Sequence, residues 1–195
     1  MSAESSRESD RSNGWEAVAD TFVDSSVGVA TIQAWTRSLP AGGAVLELGC
    51  GPGGLRSEAL IRAGFVVYAI DAAPTLARAY QRRFPSTEVA CEAVENSAFF
   101  GRHFDGALAW GLLFLLPPDS QRAAIHRVSG VLKPGARFLF TAPAQVCEWP
   151  DNSTGRPSRS LGLETYRAVL ADAQLTLVSE YVDEGENHYY DAEKR

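Results

Sequence analysis

The stretch "VLELGCGPGG", residues 45–54, decides the fold. Val45, Leu46 and Leu48 are apolar, and Gly49, Gly51, Gly53 and Gly54 follow with only Cys50 and Pro52 between them. A short apolar run bounded by glycines reads as a buried strand, and the glycines as a tight turn. "GGLRSEALIRAG", residues 53–64, then reads as a helix stopped by Gly64. Strand, glycine turn and helix in this order offer close backbone approach and free N–H groups to a nucleotide-like ligand. Glu47 is the odd residue: a carboxylate inside the apolar run, two positions before the first glycine.

The same alternation continues outward. "FVVYAID" (65–71), "TEVACEAV" (87–94), "FDGALAWG" (104–111) and "KPGARFLFTAP" (133–143) read as further strands. Helical patterns over "PTLARAYQRRF", "PDSQRAAIHRVSGVL" and "LETYRAVLADA" separate or follow them, with Pro74 suited to a first turn. Strands alternating with helices predict parallel strands joined by right-handed crossovers. "LTLVSEYVDE" and "HYYDAEKR", joined through "GEN", are too close for a crossover, so the last strand runs antiparallel. The fold class is therefore α/β, a Rossmann-like doubly wound sheet, mostly parallel with an antiparallel last strand. Residues 144–161, rich in Pro, Ser, Asn and Asp, read as a loop. An amphipathic pattern from Trp15 to Trp35, divided at Gly28, predicts N-terminal helices over 15–36 that fold over the ligand as a lid, with Trp15 and Phe22 inward.

Composition bounds the function. The 195 residues suit one domain, read as 14–195 behind a disordered polar tail at 1–13. A net charge of −6, with 18 scattered basic residues of which only Lys133 and Lys194 are lysines, argues against nucleic-acid binding. Cys50, Cys91 and Cys147 have neither disulfide nor zinc spacing, so no metal is expected and a reducing cytoplasm is. The start lacks an apolar signal region, and the longest apolar run, residues 106–116, is about half of a membrane span.

Two ligands fit the turn. Gly49, Gly51 and Gly54 satisfy GxGxxG, the dinucleotide pattern; Gly49, Gly51 and Gly53 satisfy GxGxG, typical of S-adenosylmethionine (SAM) sites. Glu47 separates them. A carboxylate repels a pyrophosphate and suits the cationic sulfonium and ammonium of SAM. Asp71 ends the second strand eighteen residues after Gly53, where an acid takes ribose hydroxyls, and it serves either ligand.

These residues resemble the class I SAM-dependent methyltransferases, in the small, single-domain, small-molecule form. "LELGCGPG" resembles the family's first motif and "VVYAIDAAP" its ribose motif. "CEAVENSAFFGRHFDGALAWGLLFLL" resembles the segment under adenine, and "LKPGARFLFTAP" the run into the fifth strand; together they span residues 45–143. The resemblance implies methyl transfer from SAM, leaving S-adenosylhomocysteine (SAH), to a small-molecule acceptor. It also implies roles. Glu47 and the backbone of Gly49, Gly51 and Gly53 hold the methionine part, Asp71 the ribose, and Ala72 packs on adenine. Glu92 and Ala93 meet the adenine edge, and Trp110 and Gly111 stand beside the sulfonium. Two other classes stay open: a non-catalytic SAM-binding partner of another subunit, and an NAD-dependent oxidoreductase.

The sequence departs from the family where many relatives carry a histidine pair, just after the fourth strand. Here that place reads "GLLFLLPP". The acceptor side is sought in the loops at the carboxyl edge of the sheet instead. There His188 is the one histidine placed as a base, with Tyr189 beside it and Trp149 across from both.

Overall fold

The computed structural model describes residues 11–195. Of the tail expected over 1–13, residues 1–10 lie outside the described residues, and 11–14 form a turn. The segment expected as N-terminal helices is a single helical turn, α1 (Trp15–Val18), a 3-10 turn (Ala19–Thr21), an extended strap over 22–28, and α2 (Val29–Thr36). The strap ends at Gly28, whose φ of +79° admits the chain into α2.

The glycine stretch folds as read. β1 (Ala44–Leu48) runs into the turn, and α3 (Leu55–Arg62) leaves it. β2 (Val66–Asp71), α4 (Pro74–Arg83), β3 (Glu88–Cys91), β4 (Phe104–Ala109), α5 (Pro118–Val131) and β5 (Leu132–Thr141) follow. Beyond them come β6 (Val146–Pro150), β7 (Pro157–Leu161), α6 (Leu163–Asp172), β8 (Leu175–Val182) and β9 (His188–Lys194). The seven-stranded sheet has the order β3-β2-β1-β4-β5-β9-β8. β1 to β5 pair in parallel, and β9 is antiparallel to both its neighbours.

Strands covered on both faces must be apolar on both. On one face Leu46, Leu48, Phe138 and Phe140 pack under α5 and α6 with Ile125, Val128 and Tyr166. Phe140 stacks on Tyr190 at 4.7 Å and meets Tyr166 edge-on at 5.5 Å. On the other face Val45, Val67, Leu108 and Leu139 pack against Ile32, Trp35 and Leu60.

Residues 144–161 correct the loop reading. β6 and β7 form a separate two-stranded antiparallel sheet with Val146 opposite Leu161 and Pro150 opposite Pro157. Polar contacts hold this hairpin: Arg159 Nε donates to Glu148 at 2.6 Å, and Ser160 Oγ donates to the Pro143 carbonyl at 2.6 Å. A pair held this way carries no apolar alternation, which is why composition read it as irregular.

Gly53 ties the turn to α4. Its φ is +78°, and a Cβ there would stand 2.9 Å from Phe84 Cε2 and 3.0 Å from Tyr80 Cδ2. Gly64, at φ +88°, faces open space. Gly53→Ala is therefore expected to lower stability by about 2–4 kcal/mol in urea unfolding, the left-handed penalty plus overpacking, and Gly64→Ala by only about 1–2 kcal/mol. Equal losses at both positions would mean that the contact with Tyr80 and Phe84 is slack.

Candidate functional site

A cavity of about 360 Å³ lies over the carboxyl ends of β1, β2 and β4. Its floor is the turn after β1, with Glu47, Gly49, Cys50 and Gly51. Asp71 and Ala72 come from the end of β2, Glu92 and Ala93 from the end of β3, and Trp110 and Gly111 from the end of β4. Leu112, Leu115 and Leu116 add an apolar wall. Trp15 and Phe22 come from the N-terminal segment, and Ser153 from the tip of the β6–β7 hairpin. A Cβ on Gly51 would reach the Phe22 ring at 3.5 Å, so the strap passes directly over the glycine turn.

Glu47 answers the question its position raised. It points to the α3–α4 side of the sheet, where Ser57 Oγ donates to Oε1 at 2.7 Å and Tyr80 Oη donates to Oε2 at 2.9 Å. Burial raises its pKa to about 7, against the partial relief of those two bonds and of the nearby Arg56. The sequence reading gave Glu47 to the ligand's cationic end. Its carboxyl does line the cavity, but both oxygens are already engaged by the protein, so its first role is to join α3 and α4 to the end of β1.

Asp71 is held by backbone. Gly51 N donates to Oδ2 at 2.9 Å and Ala73 N to Oδ1 at 2.8 Å. Burial raises its pKa, and these two N–H donors oppose the rise. Each oxygen keeps a lone pair for a ligand hydroxyl. Trp110 is fixed from two directions. Its Nε1 donates to Tyr189 Oη at 2.8 Å, and the Arg56 guanidinium lies 3.6 Å over its ring. Burial lowers the Arg56 pKa. The same Arg56 donates to the Ser25 and Val27 carbonyls, both at 3.1 Å, and so holds the strap.

The strap has a second anchor. Leu55 N, at the start of α3, donates to both Asp24 oxygens at 3.2 and 3.1 Å. Asp24 also pairs with Arg83 at 3.4 Å. Glu16 receives Thr75 N at 2.9 Å and Thr75 Oγ1 at 2.7 Å, which fastens α1 to the start of α4.

Nine of the ten residues expected to hold the cofactor line the cavity; Gly53 is turned away, against Tyr80 and Phe84. The three acceptor-side residues do not line it. His188 and Tyr190 share one face of β9. The His188 ring meets Glu180 Oε2 at 3.1 Å and the edge of Tyr190 at 4.8 Å, directed away from the cavity. Tyr189, on the opposite face, is fully buried; it accepts from Trp110 and donates to Asp183 Oδ2 at 2.8 Å. It reaches the site only through Trp110. Trp149 packs on Phe114 at 5.4 Å. Strand alternation explains the difference, because neighbours on β9 cannot share a face. Sequence reasoning missed Asp24, Arg56, Asn13 and Ser153 as parts of the site. Asp24 meets Leu55 across 31 positions, and no local pattern announces such a contact.

Comparisons with known proteins bear on the family and the fold. Residues 45–135 match the family model described as a methyltransferase domain. A ubiquinone biosynthesis O-methyltransferase of Xanthomonas axonopodis pv. citri (strain 306) is 34% identical over 110 residues, 54% of this chain and 45% of that protein. The chain thus matches somewhat less than half the length of this curated relative. Among solved structures, the CcbJ methyltransferase of Streptomyces caelestis has a TM-score of 0.75 at 14% identity, covering 96% of this chain and 98% of that one. A Burkholderia thailandensis 1,6-didemethyltoxoflavin-N1-methyltransferase, solved with 1,6-didemethyltoxoflavin and SAH, has a TM-score of 0.64 at 22% identity, covering 92% and 79%. These structures share the fold.

The Glu47 carboxyl makes stability depend on pH. Its pKa is about 7 when folded and 4.5 as a free group, so the unfolded chain loses this proton first. Stability from Glu47 is therefore full below pH 4.5, falls as pH rises, and levels off above 7. Relative to Glu47→Gln, the ligand-free wild type is expected to lose about 2 kcal/mol of unfolding free energy between pH 5 and 7.5. Urea titrations of both proteins at the two pH values measure it. Parallel behaviour of the two proteins would mean that the carboxyl is ionised throughout.

Proposed function

We propose that the chain is a class I SAM-dependent methyltransferase, which binds SAM and transfers its methyl group to a small-molecule acceptor. The observation that carries this reading is electrostatic. Glu47, Asp71 and Glu92 all line the cavity, and the N–H at the start of α3, where a pyrophosphate would sit, is taken by the chain's own Asp24. A dinucleotide would have to displace the Asp24 carboxylate and face those of Asp71 and Glu92, with the largely protein-bound carboxyl of Glu47 behind them. A nucleoside bearing a sulfonium and no phosphate meets complementary charge.

The residues fit that group. Gly49, Cys50 and Gly51 line the cavity, and the Phe22 ring lies over the turn, 3.5 Å from where a Gly51 Cβ would stand, so the turn's backbone and the ring together bound the seat. Asp71 is placed for the ribose hydroxyls, Ala72 and the leucine wall for the adenine ring, and Glu92 with Ala93 for its polar edge. SAM supplies an activated methyl on a cationic sulfur. The chain supplies alignment and exclusion of water, which in-line displacement chiefly needs. Trp110, clamped by Tyr189 and Arg56, gives the reacting end a fixed wall. Among the described residues, no histidine lines the cavity. His188, first read as a base, stabilises the hairpin through Glu180 in this reading, and Tyr189 positions Trp110. An acceptor that arrives as a good nucleophile needs no base. The relatives carry out both O- and N1-methylation by name, and a cavity of about 360 Å³ roofed by the strap favours a small acceptor.

Incubation with SAM and the small-molecule fraction of a cell extract tests the reading by mass spectrometry. One metabolite is expected to gain the mass of a methylene as SAH accumulates. Asp71→Ala is expected to weaken SAH binding at least tenfold, which corresponds to the ~1.5–3 kcal/mol of a charged hydrogen-bond acceptor, while the protein stays folded. Tight SAH binding with no methylated product from any fraction would instead favour a non-catalytic SAM-binding subunit.

A further inference from the structure

Among the described residues, the buried side-chain atoms Asn13 Nδ2 and Trp15 Nε1 have no hydrogen-bond partner. Both residues line the cavity. Buried donors are paired in folded proteins, so two orphaned N–H groups on one wall of a ligand cavity mark places where a ligand supplies the acceptor.

The two residues sit together. Asn13 has φ +52° in the turn that opens into α1. Trp15, two positions on, packs with Phe22 against Ala73 and Leu76, immediately after Asp71 and Ala72. Their backbone is held independently of any ligand. Glu16, between Trp15 and α2, is bound to Thr75, and Gly14 is seated against Thr154 and Arg156 of the β6–β7 hairpin. The turn is therefore held in a fixed position near the Asp71 end of the cavity, with the two donors buried at its edge. Asp71 and Glu92 are acceptors and suit the donors of a bound nucleoside, whereas Asn13 Nδ2 and Trp15 Nε1 are donors and suit its acceptors.

Building on the proposed function, we propose that Asn13 Nδ2 and Trp15 Nε1 form a recognition pair for a lone-pair atom, an oxygen or ring nitrogen, of the bound small molecule. The packing of Trp15 beside Ala73 and Leu76 assigns that atom to the nucleoside of the cofactor. The methyl acceptor offers the same chemistry from the hairpin side, where Ser153 stands.

The test uses the full chain labelled with 15N and follows the indole N–H resonance of Trp15, identified by its loss in Trp15→Phe. Trp15→Phe keeps the aromatic cover, and Asn13→Asp keeps the shape while removing the donor. SAH is expected to move the Trp15 indole resonance, and each variant is expected to raise the SAH dissociation constant about tenfold. A resonance that stays in place with SAH but moves when catechol is added to the SAH complex supports the pair with the methyl acceptor as its source. Wild-type binding of SAH with an unmoved resonance in both titrations, and variants that bind SAH like wild type, would overturn the pair and leave the proposed function standing. Absence of SAH binding by the wild type would remove both.

Discussion

The buried carboxyl of Glu47 is the constraint around which the site is organised. It sits at the end of the first strand, is 5% exposed, and is bonded by one hydroxyl from α3 and one from α4. Burying a carboxyl is unfavourable unless its oxygens are satisfied. Ser57 and Tyr80 do that, and in doing so they fix the first turn of α3 and the second half of α4 relative to the glycine turn. Removing either hydroxyl would leave an unsatisfied oxygen in the core and loosen the wall of the cavity. The same turn is braced from the far side by Asp71, which accepts the Gly51 N–H. Two carboxyls thus shape a backbone loop that glycine alone would leave pliable.

Those carboxyls also set the electrostatic character of the cavity. Among the described residues, the arginines on its wall are Arg11 and Arg56. Arg56 stacks on Trp110 and grips the strap, so its charge is spent within the protein. Asp24, reaching back to the start of α3, takes the site that many nucleotide folds reserve for phosphate. The strap is therefore more than a cover. Its Asp24 anchor occupies the N–H a phosphate would use, and its Phe22 ring lies over the glycine turn.

Much of this was legible in the sequence because the signals are local. The glycine turn, the acid ending β2 and the alternation of strands and helices each follow from spacing within a few residues. Of the ten residues read for the cofactor side, nine line the cavity, and Gly53 instead packs against Tyr80 and Phe84. The residues read for the acceptor side do not line it. His188 and Tyr189 stand at the expected edge of the sheet, but alternation on β9 turns the histidine toward Glu180. The β6–β7 hairpin escaped because its cross-strand contacts are polar. Asn13 fell inside a stretch read as tail, because a composition of Ser, Arg and Asn cannot reveal that the turn it forms is clasped between α4 and the hairpin.

The central claim is that carboxylate walls and a helix start capped by Asp24 make this cavity a seat for a cationic, phosphate-free nucleoside. Calorimetric titration of the wild-type chain with SAM, SAH and NADH at neutral pH addresses it most directly. The account expects saturable binding of SAM and SAH and no detectable heat from NADH. Binding of NADH with no binding of either SAM or SAH would contradict it.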